Sequence, residues 1–193
     1  MASTDRPTFR GLEVYRNLRH RFSLLHPEGW GRAEVPRSAG GGVVFSPDGE
    51  ERQTSVLVQS RKLPSAVRAD DLDALRGGLL EGIQQLPEAH VQEETAEAVG
   101  KLLTAEAKHT YRDGESGVVR KRWVRLLCQG SVQVSVVCQG STEERFDYWS
   151  PMFNTVMRTV QFADWWAEVI GVSWKKDLKG PAEALADPSV RTG

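Results

Sequence analysis

Residues 101–140, KLLTAEAKHTYRDGESGVVRKRWVRLLCQGSVQVSVVCQG, constrain the fold more than any other stretch of the chain. They are rich in β-branched and apolar residues and carry two turn signals, Asp113-Gly114 and Gln129-Gly130. The spacing predicts three long strands: Leu102 to Tyr111, Val118 to Cys128 and Ser131 to Cys138. In the last, Val132, Val134, Val136 and Cys138 alternate with Ser131, Gln133 and Ser135, the period-two pattern of a half-buried strand. The meander holds both cysteines, Cys128 beside a turn and Cys138 most of a strand away. At about 3.3 Å per residue that separation exceeds the ~7 Å reach of a disulfide, which predicts two free thiols and a reducing compartment.

Other segments fill in around this meander. YRNLRHRFSLLHP reads as an entry strand with Phe22 and Leu24 on one face and Leu25 on the other. Val43–Ser46 and Ser55–Lys62 read as a hairpin, because Pro47 presets φ and Gly49 accepts a positive φ in the intervening SPDGE. In residues 69–89 Leu72, Leu75, Leu79, Ile83 and Leu86 recur at spacings of three and four, one stripe of an amphipathic helix. Asp70, Asp71 and Asp73 sit where the helix dipole favours them. Gly77, Gly78 and Gly82 each cost about 1 kcal/mol in a helix interior, which suggests close approach of another backbone. A second helix is predicted over residues 141–162, with Ser141 and Glu144 as a capping box. Its apolar face is Phe146, Trp149, Phe153 and Val156, and Pro151 is expected to kink it or start a fresh turn.

Composition excludes more than it assigns. The 193 residues suit one domain, and 25 basic against 26 acidic residues give a net charge of −1. No concentrated positive field is available for nucleic acid or an anionic membrane surface. No window approaches the 18 or so apolar residues of a membrane span, and MASTDRPTFRG has no apolar signal region. The expectation is a cytoplasmic protein without membrane insertion or nucleic-acid binding.

No catalytic constellation emerges. His20, His26, His90 and His109 are scattered without metal-ligand spacing, so neither metal nor cofactor is expected. His26 and Glu28 are close in sequence, but that pairing on a turn is common among surface loop residues. SAGGGVVF has the glycines of a phosphate loop but is followed by a strand rather than a helix. RKRWVR, residues 120–125, would split its basic side chains between two strand faces. The sharpest feature is DWWAEVIGVSW. Phe162, Trp165, Trp166, Val169 and Ile170 share one face of a short helix, and Trp174 extends it. So short a helix must dock on something, either its own domain or a partner, and tryptophan is enriched at binding hot spots. Trp165, Trp166, Val169, Ile170 and Trp174 are therefore the candidate partner-binding residues.

The order of elements, with Phe22, Pro27 and Trp30 in FSLLHPEGW, Phe45 before its turn, and the closing Val160 and Phe162, resembles the PsbP-like superfamily. That superfamily includes the photosystem II extrinsic subunit, a Ran-GTPase-binding import factor and bacterial effector chaperones. The resemblance covers residues 14–162. It leaves residues 1–13 as a flexible N-terminal segment and 163–193 as a Trp-rich short helix with a polar tail. It implies an α+β fold, an antiparallel sheet of about six strands with helices packed on both faces. The chain departs from the photosynthetic branch in having no lumenal targeting segment, and no acidic cluster matches a GTPase-binding surface. The implied function is a non-enzymatic protein-interaction module, an adaptor, chaperone or assembly factor, with a protein partner or a second copy bound through the C-terminal helix. The alternative is a small-ligand or lipid carrier whose curved sheet grips the last helix.

Overall fold

The computed structural model describes Pro7, residues 11–47 and residues 53–163. The fold is α+β, with a seven-stranded antiparallel sheet, a three-stranded sheet and two α-helices. The strands are β1 (Leu12–Asn17), β2 (Phe22–Pro27), β3 (Gly31–Val35), β4 (Gly42–Ser46), β5 (Ser55–Lys62), β6 (His90–Val99), β7 (Leu102–Arg112), β8 (Val119–Gln129), β9 (Val132–Gln139) and β10 (Gln161–Phe162). The helices are α1 (Leu72–Gln84) and α2 (Glu143–Thr159). The large sheet runs β3-β4-β5-β9-β8-β7-β6 and the small one β1-β2-β10.

The predicted meander is the middle of the large sheet, as β7, β8 and β9. Its first turn is the six-residue loop 113–118, closed by Asp113 accepting from Ser116 and carrying Gly117 at φ +68°. The second is Gln129-Gly130, with Gly130 at φ +56°. Register then decides which side chains share a face, because successive residues point to opposite sides of a strand. One row across the sheet is Val44, Leu57, Val137, Val124 and Ala107; the next row toward the β7–β8 loop is Ser55, Gln139, Arg122 and His109. The intervening positions, Val56, Val58, Trp123, Leu127, Val134, Val136 and Cys138, face the other way.

That second face carries the main core. Its covering layer is α2 together with the small sheet, which contribute Phe146, Phe153, Val156, Met157, Phe22, Leu24 and Phe162. Trp30 and Trp149 pack edge-on at 5.3 Å against the flank of this cluster. The residues that carried the sequence resemblance are thus core residues. Phe22, Phe45, Val160 and Phe162 are buried, and Trp30 is half-buried. The opposite face bears α1, which packs Leu79 and Ile83 onto Ala105 and Ala107 of β7 and lies over β6 and β7. Both faces therefore receive a helix, but unequally.

Several expectations change in detail. The sheet has seven strands rather than about six, and the entry strand belongs to a separate small sheet. That strand is two: residues 12–17 pair with 22–27 as the hairpin β1–β2, and β1 begins inside the segment read as a flexible N-terminus. β3 and β6 were not foreseen as sheet strands. β6, HVQEETAEAV, lacks a clean period because it is an exposed edge strand with a register shift between Val91 and Glu93. Helix α2 is capped by Thr142, whose side chain accepts from the Arg145 N–H, since Ser141 is engaged by Thr54. It continues through Pro151 instead of restarting there. The SPDGE turn lies in residues 46–50, of which 48–50 fall outside the described residues. Both cysteines are buried free thiols, Cys128 pushed up to about 11 by burial.

Close backbone approach does not account for the glycines of α1. A Cβ at Gly77, Gly78 or Gly82 would meet nothing within 4 Å. Each costs helix propensity with no packing return. Gly77→Ala and Gly78→Ala are each expected to stabilise by about 1 kcal/mol. Thermal denaturation should show a rise of about 2–4 °C for each, and an unchanged or lower midpoint would mean that something does press on that face.

Candidate functional site

The unequal coverage of the large sheet creates the site. On the α1 side, α1 occupies β6 and β7, while β8, β9, β5 and β4 extend beyond it. Leu57, Val137 and Val44 beyond α1, and Val124 and Leu126 at the border with the α1 cluster, are all only half-buried, whereas Val56, Val58, Val134 and Val136 are fully buried on the other face. Beside this apolar floor an open cavity of about 370 Å³ is lined by Gly40, Gln59, Ser60, Arg61, Leu126, Gln133 and Ser135.

Register makes the charge on this face one-sided. From β3 to β7 its strand positions include Arg61, Arg120 and Arg122 and no aspartate or glutamate. Arg120 has Asp113 of the neighbouring loop at 3.1 Å. Among the described residues Arg61 and Arg122 have neutral amides, and no carboxylate, as hydrogen-bond partners. The Arg61 Nε–H donates to Gln133 Oε1 at 2.5 Å and the Arg122 Nε–H to Gln139 Oε1 at 2.6 Å. Gln139 Oε1 also accepts from the Tyr111 hydroxyl at 2.8 Å, and Arg122 lies over the Tyr111 ring at 4.3 Å. Burial lowers the Arg122 pKa, and the more distant Asp113 carboxylate only partly offsets it. Most carboxylates of β6 and β7 point the other way: Glu93, Glu97 and Glu106 pair with Lys108, Thr104 and Thr95, while Glu94, on the α1 side, is taken by Arg76 of α1.

Directly opposite Arg122 in the ladder is His109. It is 1% exposed, and neither ring nitrogen has a hydrogen-bond partner among the described residues. Burial, reinforced by the Arg122 charge, lowers its pKa to about 4. The imidazole is therefore neutral at physiological pH and closes the His109–Arg122–Gln139–Ser55 end of the floor.

The residues singled out in sequence fare differently. Trp165, Trp166, Val169, Ile170 and Trp174 lie outside the described residues. His26 does not face Glu28. It is buried, stacks on Phe45 at 4.2 Å, and has Glu13 as its nearest carboxylate at 3.9 Å, because β1 pairs Glu13 with His26. Glu28 is exposed. The glycines of SAGGGVVF adopt φ +92°, +68° and +124° at Gly40, Gly41 and Gly42. Gly42 is required, since a Cβ there would lie 2.4 Å from the Val58 carbonyl oxygen. RKRWVR splits as its alternation dictates, with Arg120 and Arg122 on one face and Lys121, Trp123 and Arg125 on the other. One pairing was not foreseen: His20 Nδ1 is 2.7 Å from Ser60 Oγ. A catalytic pair needs a third group to orient the imidazole, and no carboxylate lies within ion-pair distance of His20 among the described residues. The contact ties the β1–β2 turn to β5.

Sequence reasoning missed the open face, although a signal existed. In SVLVQSRK, Leu57 is apolar between Val56 and Val58, and in VQVSVVCQ, Val137 sits between Val136 and Cys138. Apolar residues on both faces mark a strand that is covered, or is to be covered, on both sides.

No protein-family model and no curated protein matches the chain. Solved structures do match, at identities that speak for the fold. The PsbP protein CyanoP of Synechocystis aligns over 82% of this chain and 98% of its own, at 18% identity and a TM-score of 0.58. The Ran-binding protein Mog1p of Saccharomyces cerevisiae aligns over 79% of this chain and 95% of its own, at 12% identity and a TM-score of 0.51. LpqN of Mycobacterium tuberculosis, involved in cell envelope biogenesis, aligns over 72% and 82%, at 16% identity and a TM-score of 0.51. The fold of this chain is PsbP-like. Among the described residues no helix is long and apolar enough to cross a membrane, and no group of three or more metal-ligating side chains occurs.

His109 gives a pH test of the site. Its pKa is lower folded than unfolded, so the unfolded chain binds the extra proton between pH 6.5 and about 4. The stability held above pH 6.5 is therefore lost as pH falls through that window. Urea midpoints should fall across it for the wild type and less steeply for His109→Leu; parallel profiles would contradict the assignment.

Proposed function

We propose that this chain is a non-enzymatic protein-interaction module, acting in the cytoplasm as an adaptor, chaperone or assembly factor. The observation that carries the reading is the half-covered sheet face, an apolar floor flanked by Arg61 and Arg122, whose hydrogen bonds among the described residues go to neutral amides. Leaving such a floor in water forfeits roughly 25 cal/mol per Å² of apolar surface. Contiguous apolar patches that are not fully buried mark interaction surfaces. The yeast structure with this fold is a Ran-binding protein, which supports a protein rather than a metabolite as the ligand.

The segment carrying Trp165, Trp166, Val169, Ile170 and Trp174 is proposed as a second contact surface, for a partner or a second copy of the chain. A carrier that grips its ligand beneath the last helix fits the packing less well. The space between α2 and the sheet is filled by Phe146, Phe153, Val156, Met157 and Trp123, all buried. A ligand there would have to displace core side chains.

Affinity capture with the full chain tests the reading. Leu57→Glu with Val137→Glu should lose partners held by the wild type and keep the thermal midpoint within about 4 °C, since neither residue belongs to the fully buried core. Trp165→Ala with Trp166→Ala reports on the second surface in the same way. Partners retained by both variants would contradict the proposal.

A further inference from the structure

The dimensions and charge of the open face specify what fits it. Strands lie about 4.8 Å apart, so from β4 across β5 and β9 to β8 is about 14 Å of sheet. An α-helix with its side chains is about 10 Å across. One helix therefore fits on β5 and β9 beside α1, and it would complete the layer that α1 only begins. The floor it would meet is Leu57, Val124, Leu126 and Val137.

The two arginines mark the ends of that seat. Arg61 is held by Gln133 at one end of β9, and Arg122 by Gln139 at the other. From position 133 to 139, β9 rises about 20 Å at 3.3 Å per residue. A helix covers about 20 Å in 13 residues. Neutral amides orient both guanidiniums without cancelling their charge, and from β3 to β7 the strand positions of this face supply no carboxylate; Glu94 of β6 is held by Arg76 of α1. An arginine on a sheet face remains able to take a carboxylate through its planar fork.

We infer that the uncovered face is the seat of one amphipathic helix from a partner protein, lying alongside α1. Its apolar stripe meets Leu57, Val124 and Val137, and its acidic residues, about 14 positions apart and so on the same side of the helix, meet Arg61 and Arg122. The inference rests on the interaction-module reading and narrows it to a partner of stated chemistry. The charge of the face selects the partner: a basic helix would place like charges at both ends.

Photo-cross-linking in the source cells tests this with the full chain. The photoreactive residue p-benzoyl-phenylalanine replaces Val137 in one variant and Leu57 in a second, with Asn154 on the exposed side of α2 as control. The cross-linked peptide is sequenced. The expected product at Val137 or Leu57 is a segment of another protein with apolar residues at spacings of three and four, bracketed by aspartate or glutamate. Combining Arg61→Glu with Arg122→Glu should cut its yield about tenfold or more, with the circular dichroism spectrum unchanged. A product from residues 164–193 of this chain, from a second copy, or from a segment without carboxylates would overturn the inference. So would no product at either position. Partners captured by the wild type but cross-linked only at Asn154 would overturn it while leaving the interaction-module reading intact.

Discussion

Everything in this molecule depends on the register of β5, β9 and β8. A strand has period two, so a slip of one residue would exchange the faces of every side chain in the ladder. The register pairs Val56 with Cys138 and Trp123, and Leu57 with Val137 and Val124. The first set builds the main core with α2 and the small sheet. The second set becomes the half-covered floor. The same register sends Arg61 and Arg122 to the floor side, while Glu93, Glu97 and Glu106 of the neighbouring strands go to the other. Core, cavity and charge asymmetry are three consequences of one pairing scheme.

The scheme also explains the uneven use of helices. On the core side, α2 could not cover seven strands, and the β1–β2–β10 sheet supplies the rest of the layer, tied in by His20 on Ser60 and by the Leu25 N–H donating to Thr159 Oγ1. On the other side α1 works alone. It is a single apolar stripe two residues deep at full burial, Leu79 and Ile83, and it seats on the small side chains of Ala105 and Ala107. Nothing comparable to the small sheet extends that layer among the described residues. Half of one face is thus left with apolar side chains and arginines held by neutral amides, which is the arrangement a partner would complete.

The central sheet was legible in the sequence because its strands are long and its turns are marked by glycine. β5, β7, β8 and β9 fall within a residue or two of their expected limits. The edge strands were not legible: β3 and β6 face solvent along most of their length, so their side chains alternate little in polarity. The small sheet was hidden for a different reason. YRNLRHRFSLLHP contains no glycine or proline between Asn17 and Phe22, and the turn there is made by Arg21 at φ +54°. The site was invisible to motif reasoning because it contains no motif. Arg61 and Gln133 are 72 residues apart, and Leu57 meets Val137 only through strand pairing. The tryptophans of DWWAEVIGVSW drew attention in the sequence, and the described structure ends just before them.

The central claim is that two adjacent methyl-bearing residues on one strand live in different media. Methyl NMR of the full chain with a soluble paramagnetic gadolinium chelate measures this directly. Solvent relaxation should be strong at Leu57, Val124 and Val137 and weak at Val56, Val134 and Val136. Equal protection of both sets in the isolated protein would contradict the account, because it would mean that the floor is already covered.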